Sequence, residues 1–191
     1  MVKASAIGQQ THRRPLGGQP LIECNRRGST SGQKVGGILT ETDDAIIGVG
    51  SPHGDDQVGW MAIEMLQQEP SVNARLCAVG DPVDILERAS GVRRLWIVDA
   101  CRSGSEPGQI IRMEWNSDGI SEQQWQSTHR ISLMETLQLA DTLGRLPDEV
   151  IVYGIEIAQC LPQSQVCTAV TAALPQLVGM IRSELASQQS E

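Results

Sequence analysis

The chain has 191 residues, enough for one domain with a substantial core but too few for two domains of ordinary size. Its net charge of −8 is unevenly distributed, because residues 1–40 carry six Lys or Arg and one Glu while the remainder carries −13. Such an acidic body argues against a nucleic-acid-binding surface. No apolar run reaches the roughly 20 residues that a membrane-spanning helix needs, and the N-terminus lacks a secretory signal pattern. We therefore expect a cytoplasmic protein with no nucleic-acid or membrane partner.

Two segments differ sharply in composition. Residues 1–40 are rich in Gly, Gln, Ser and Arg and show no helical or strand periodicity. This composition cannot bury enough apolar surface to offset the entropy lost on ordering, so a disordered basic tail is predicted. Residues 41–191 are predicted to form a single α/β domain.

The five cysteines are odd in number and show no CxxC spacing, so neither a disulfide framework nor a zinc knuckle is indicated. Cys77 and Cys101 lie in or beside apolar runs, and we expect both to be buried, reduced thiols.

The acidic body alternates between short apolar runs and amphipathic stretches. In chain order the pattern predicts a strand at 45–50, a helix at 58–68, a strand at 75–79, a short helix at 82–89, strands at 95–100 and 109–115, a helix at 131–143, a strand at 149–155 and a helix at 165–185. This order is typical of an α/β protein, a three-layer α/β/α sandwich around a mainly parallel sheet of about five strands. Because no helix joins the third and fourth strands, we expect the fourth to run antiparallel, at an edge.

Polar residues follow two of the predicted strands and precede one helix. Ligands of open α/β sheets bind beyond the carboxyl ends of the strands, where Asp56 and Asp99 are expected. His129 opens the third predicted helix, after Ser127 and Thr128, which are natural N-cap residues. A single histidine near a helix start is more often a surface residue than a ligand.

The glycine-rich segment after the first strand invites comparison with a phosphate loop. Two carboxylates, Asp55 and Asp56, occupy the helix start, and no lysine follows residue 40. Acids there repel phosphate and favour a cation, although either could instead cap the helix. We assign the capping role to Asp55, which leaves Asp56 to face the cleft. His53, in the same loop, competes with His129 as a contact.

Asp99 follows four apolar residues of the third strand. A carboxylate at that depth costs free energy unless it meets a cation, a metal or several N–H donors. The alternative is a turn residue bonded to the backbone of Cys101 or Arg102. Two carboxylates and one imidazole suit zinc or nickel better than magnesium.

The chain resembles the hydrogenase maturation endopeptidases, which process the large subunit of nickel–iron hydrogenases. The resemblance rests on residues 50–59 (GSPHGDDQVG), 97–100 (IVDA), 106–108 (EPG) and 127–129 (STH), and it extends over roughly residues 44–182. Within those segments, Ser51 stands where the family usually has Asn, Gln57 stands where it has Gly, and the loop is one residue shorter.

The resemblance implies that Asp56, Asp99 and His129 are the catalytic, metal-contacting residues. It also implies that nickel is presented by the substrate, with zinc or another divalent ion as a substitute in vitro. The partner would be a hydrogenase large-subunit precursor, whose C-terminal extension is removed after nickel insertion, and the protein would act as a monomer. Whether the metal also polarises the scissile carbonyl or activates water stays open.

Two other functions are compatible with the residues. One is a non-catalytic nickel-binding or chaperone module on the same fold. The other, which the paired acids disfavour, is a small phosphate- or nucleotide-binding protein that uses residues 48–59.

Overall fold

A five-stranded sheet organises the residues that the computed structural model describes, which are 44–115, 132–162 and 164–187. The elements are, in chain order, β1 Asp44–Val49, α1 Val58–Gln67, β2 Arg75–Val79, α2 Ile85–Arg88, β3 Arg94–Cys101, β4 Ile110–Glu114, α3 Leu133–Thr142, β5 Glu149–Glu156 and α4 Thr168–Ser187. The strand order is β2-β1-β3-β5-β4. All neighbours are parallel except β4, which lies at one edge antiparallel to β5. The predicted α/β fold and its antiparallel edge strand are confirmed.

The central strands are buried on both faces, as their nearly continuous apolar sequences predict. Side chains of successive residues point to opposite faces, so Trp96 and Val98 contact α1 and α4, whereas Leu95 and Ile97 contact α2 and α3. The two helix pairs therefore cover opposite faces of the sheet, which gives the predicted α/β/α layers.

Two glycines allow α1 to begin directly against β1. A Cβ atom on Gly59 would lie 1.9 Å from the Val49 carbonyl oxygen, and one on Gly48 would lie 2.1 Å from the Gly59 carbonyl oxygen. No other residue type fits at such distances. This close approach fixes the start of α1, and with it the preceding 3-10 turn Gly54–Gln57.

A buried ion pair joins the amino ends of β1 and β3. Arg94 donates from Nε and Nη2 to the two carboxylate oxygens of Asp44, both at 2.7 Å. Asp44 and Arg94 are also register partners in the sheet. Bidentate geometry of this kind holds the two strands in one register.

The start of α3 differs from the prediction. Ser132 is its N-cap and forms a capping box with Glu135, so the proposal that Ser127 and Thr128 cap this helix is wrong. A reciprocal pair of hydrogen bonds satisfies two helix-end N–H groups and outcompetes an isolated hydroxyl further upstream.

Cys77 is buried, as expected, but it is disulfide-bonded, so the expectation that it is a reduced thiol is wrong. Spacing alone does not reveal such a bond. Cys101 is a buried free thiol, as expected. The predicted tail 1–40 lies outside the described residues, and the single-domain assignment of 41–191 stays a prediction. Within the described part of the chain, no helix is long and apolar enough to cross a membrane.

The order in which strands are added to the sheet changes side between β1 and β3. The chain passes from β1 through α1 to β2 on one side, then returns through α2 to β3 on the other side of β1. Because α1 and α2 lie on opposite faces, a crevice is expected beyond the carboxyl ends of β1 and β3. This switch point is where chemistry is expected in an open α/β sheet.

Candidate active site

The loop that leaves β1 forms one wall of the switch point. The Ser51 N–H donates to the Asp56 carbonyl at 3.1 Å, and the Asp56 N–H donates to the His53 carbonyl at 3.2 Å. These bonds close the loop into the 3-10 turn Gly54–Gln57, which contacts β3. Asp56 is 2% exposed. The turn that carries Asp56 therefore lies against the strand that carries Asp99.

The prediction that Asp55 caps the following helix is wrong. Its carboxylate, 0% exposed, accepts hydrogen bonds from the backbone N–H groups of Ala158, Gln159 and Cys167. The prediction failed because a carboxylate at a helix start can satisfy N–H groups of a distant segment equally well, and sequence does not say which segment is near. Asp55 joins the turn to the segment between β5 and α4.

Asp99 lies inside β3, two residues before its end, and is paired in register with Gly154 of β5. Its side chain is fully buried, and Oδ1 accepts a hydrogen bond from the Ala100 N–H at 2.8 Å. Asp99 lies in a strand, so the alternative prediction of a turn residue bonded to the backbone of Cys101 or Arg102 is wrong. By alternation, Asp99 shares the α2/α3 face of the sheet with Cys101.

Glu156 is a further buried acid at the same edge, which the sequence analysis missed. It ends β5, opposite Cys101 in register, and is 4% exposed. The Ser103 N–H and hydroxyl donate to Oε2, both at 2.7 Å, and the Gly104 N–H donates to Oε1 at 3.2 Å. A signal was available, because Glu156 follows a buried apolar strand just as Asp99 does.

Cys160 is the second residue that the sequence did not indicate. Burial raises the pKa of this half-buried thiol, the negative charges of Asp56 and Asp55 raise it further, and the positive charge of Arg102 lowers it. Cys160, on the segment after β5, therefore shares one electrostatic environment with the turn after β1 and with Arg102 after β3.

Cys101 is chemically inert by comparison. Burial, together with the charges of Glu156 and Asp99, raises its pKa to about 12. At neutral pH the thiol stays protonated, and a protonated thiol is a poor nucleophile. This agrees with the expectation that Cys101 is a buried, reduced thiol.

The two histidines have different outcomes. His53 is half-buried, and its Nδ1 is hydrogen-bonded to the Ser51 hydroxyl at 2.9 Å, which fixes the ring within the turn loop. His129 lies outside the described residues, so its role stays a prediction. Among the described residues, no group of three or more His, Cys, Asp or Glu is arranged to hold a metal ion. Asp56 and Asp99 are thus the two predicted site residues that the structure brings to one edge.

Known structures share this fold. The solution structure of the endopeptidase HycI from Escherichia coli is similar, with 25% identity and a TM-score of 0.58, over 73% of this chain and 89% of that one. The hydrogenase maturating endopeptidase HybD from Escherichia coli is 18% identical with a TM-score of 0.60, over 75% and 92% of the two chains. The [NiFe] hydrogenase maturation protease HybD from Thermococcus kodakarensis is 20% identical with a TM-score of 0.57, over 77% and 98%. At 18% and 20% identity, the two HybD structures support the fold alone.

The family assignment rests on a sequence match and not on structural similarity. No curated protein sequence matches this chain. The sequence pattern of the hydrogenase maturation protease family, HycI, matches residues 80–184, which include Asp99 and His129 and begin after Asp56. That stretch is more than half of the chain, so the chain belongs to the hydrogenase maturation protease family and is a peptidase.

Proposed function

We propose that this peptidase removes the C-terminal extension of a nickel–iron hydrogenase large-subunit precursor after nickel has been inserted. In this proposal Asp56, Asp99 and His129 contact the nickel that the precursor presents, so the metal belongs to the substrate. The peptide bond is hydrolysed by water, which leaves a new carboxylate on the mature subunit and a free amine on the released extension.

One observation carries this proposal. The turn that holds Asp56 contacts β3, which holds Asp99, and this contact lies at the switch point between β1 and β3. Both carboxylates are buried, at 2% and 0% exposure. Buried carboxylates at the open edge of a sheet favour a cation as ligand, because a nearby positive charge stabilises their ionised form.

The chemistry of the neighbouring thiols supports water as the nucleophile. Cys101 has a pKa raised to about 12, and the pKa of Cys160 is also raised, chiefly by burial. Neither is therefore an activated thiolate at neutral pH. Family membership favours this reading over a non-catalytic nickel chaperone and over a phosphate-binding protein, because the family is one of proteases.

The test is mass spectrometry of a hydrogenase large-subunit precursor incubated with the purified protein. The precursor is prepared both loaded with nickel and free of nickel. We expect the nickel-loaded precursor alone to lose the mass of its C-terminal extension. Binding of the nickel-loaded precursor without any loss of mass would instead indicate a chaperone, and equal cleavage of both precursors would contradict nickel recognition.

A further inference from the structure

Asp55, in the 3-10 turn after β1, forms hydrogen bonds through both carboxylate oxygens and its backbone N–H. Its Oδ1 accepts from the Cys167 N–H at 2.6 Å, and its Oδ2 accepts from the Ala158 and Gln159 N–H groups at 2.9 and 3.0 Å. Its own N–H donates to the Gln159 carbonyl at 3.1 Å. Four hydrogen bonds thus connect one residue to the segment between β5 and α4, more than 100 positions away in sequence.

The neighbouring Gly54 shows how closely the turn and this segment fit. Gly54 has a φ of +56°, and a Cβ atom there would lie 2.4 Å from the Ser164 hydroxyl oxygen and 3.1 Å from the Gln159 carbonyl oxygen. A Cβ atom at this position would require the Ser164 side chain to move, and the positive φ also favours glycine. The segment is therefore seated directly on the turn.

The consequence concerns Asp56, the next residue of the same 3-10 turn. The segment that Asp55 binds also contains Cys160, whose pKa is raised by the negative charge of Asp56. Leu161, in the same segment, is 57% exposed. The Asp55 bonds therefore set the placement of Asp56 relative to this segment. Charge-assisted bonds of one carboxylate to several N–H groups are strong and directional enough for that role.

We propose that Asp55 is a positioning residue of the protease, and that its carboxylate holds Asp56 in the geometry that recognises the metal-loaded substrate. This inference rests on the proposed function. It assigns Asp55 no contact with the substrate, since the side chain is fully buried and its two oxygens are directed at backbone N–H groups.

Asp55→Asn is the informative substitution, because it preserves the size of the side chain. An amide has one acceptor oxygen and one NH₂ group, whereas both oxygens of Asp55 face N–H donors. At least one backbone N–H must then oppose the NH₂ group. Asp55→Ser, which has a hydroxyl acceptor and no opposing NH₂ group, serves as a second variant should the amide prevent folding.

The matched control is Glu184→Gln. Glu184 also accepts three hydrogen bonds, from Trp96, Tyr153 and Arg112, but it lies near the C-terminal end of α4, far along the helix from Cys167. Trimming of a nickel-loaded precursor is measured as a function of precursor concentration, at a temperature well below the unfolding midpoint of each variant.

A variant that is only less stable has fewer folded molecules, so its plateau rate falls while its half-saturating precursor concentration stays unchanged. For Asp55→Asn we expect the half-saturating concentration to rise by about tenfold or more, the scale seen when a residue that orients a metal contact is lost. Glu184→Gln should keep the wild-type half-saturating concentration.

The outcomes separate the two proposals. Absence of trimming by the wild-type protein overturns the proposed function and the positioning role together. Trimming by the wild type, with an unchanged half-saturating concentration in Asp55→Asn and Asp55→Ser, overturns the positioning role alone.

Discussion

Glu156 binds Ser103 twice, through the backbone N–H and through the hydroxyl, each at 2.7 Å from the same carboxylate oxygen. The two residues belong to neighbouring parts of the sheet edge, since Glu156 ends β5 and Ser103 follows β3. Asp55 and Glu156 therefore have parallel roles. Asp55 anchors the segment after β5 to the turn after β1, and Glu156 anchors the loop after β3 to the end of β5.

Replacing Glu156 should lower the stability of the protein. In Glu156→Gln the amide NH₂ must face at least one of the N–H and hydroxyl donors of Ser103 and Gly104 that now donate to the carboxylate. We expect the free energy of unfolding to fall by about 1–3 kcal/mol, the cost of leaving one buried polar group unsatisfied. Urea denaturation measures the change. Glu106→Gln, an exposed acid of the same loop, is the control and should unfold like the wild type. Equal midpoints for both variants would show that the Glu156 bonds do not stabilise the edge.

Substitution of the proposed metal contacts should abolish trimming while the fold is retained. Loss of a residue that merely orients a metal ligand costs about 10–100-fold, so Asp56→Asn, Asp99→Asn and His129→Ala should each lower the trimming rate by about 100-fold or more. The rate is measured by mass spectrometry and the fold by circular dichroism. Glu64→Gln, an exposed acid on α1, should trim at the wild-type rate. Wild-type rates in Asp99→Asn and His129→Ala would exclude these residues from the site.

The thiol of Cys160 provides a test of the edge geometry that does not depend on activity. Because the charge of Asp56 raises the pKa of Cys160, removal of that charge should increase the thiolate fraction at neutral pH. In Asp56→Asn we therefore expect Cys160 to react faster with iodoacetamide, with the modified residue identified by peptide mass spectrometry. Asp99→Asn is the control, because Asp99 does not contribute to the shift of Cys160. Equal acceleration by both variants would indicate a general loosening of the edge instead.

Stability should depend on pH through Glu184. Burial alone would raise the pKa of Glu184, but hydrogen bonds from Trp96, Arg112 and Tyr153 outweigh it, so the pKa is lowered from its ordinary value of 4.5. The stabilisation is therefore complete above pH 4.5 and is lost as the pH falls through the lowered value. Glu184→Gln should be less stable than the wild type by about 1–2 kcal/mol near neutral pH. Urea denaturation between pH 3 and pH 7 should show this difference shrinking in acid, and a difference that is constant with pH would contradict the argument.

Local sequence patterns were sufficient for the architecture. The apolar run at β3 and its alternation with amphipathic helices predicted a buried parallel sheet, and the missing helix between β3 and β4 predicted the antiparallel edge. These predictions succeeded because the periods of helices and strands are properties of each segment alone. The expectation that polar residues collect at the carboxyl edge followed from the alternation of strands and helices.

What the sequence determined by itself is thus the α/β/α fold, its antiparallel edge and the edge where Asp56 and Asp99 lie. Only the tertiary structure decided which segment each acid meets. Asp55 was predicted to cap its own helix and instead binds the N–H groups of Ala158, Gln159 and Cys167. Glu156, with no role in the prediction, holds the loop after β3. The physical reason is that a buried carboxylate is satisfied by any correctly oriented N–H groups within about 3 Å. Which segment supplies those groups depends on how the loops come together in the folded chain.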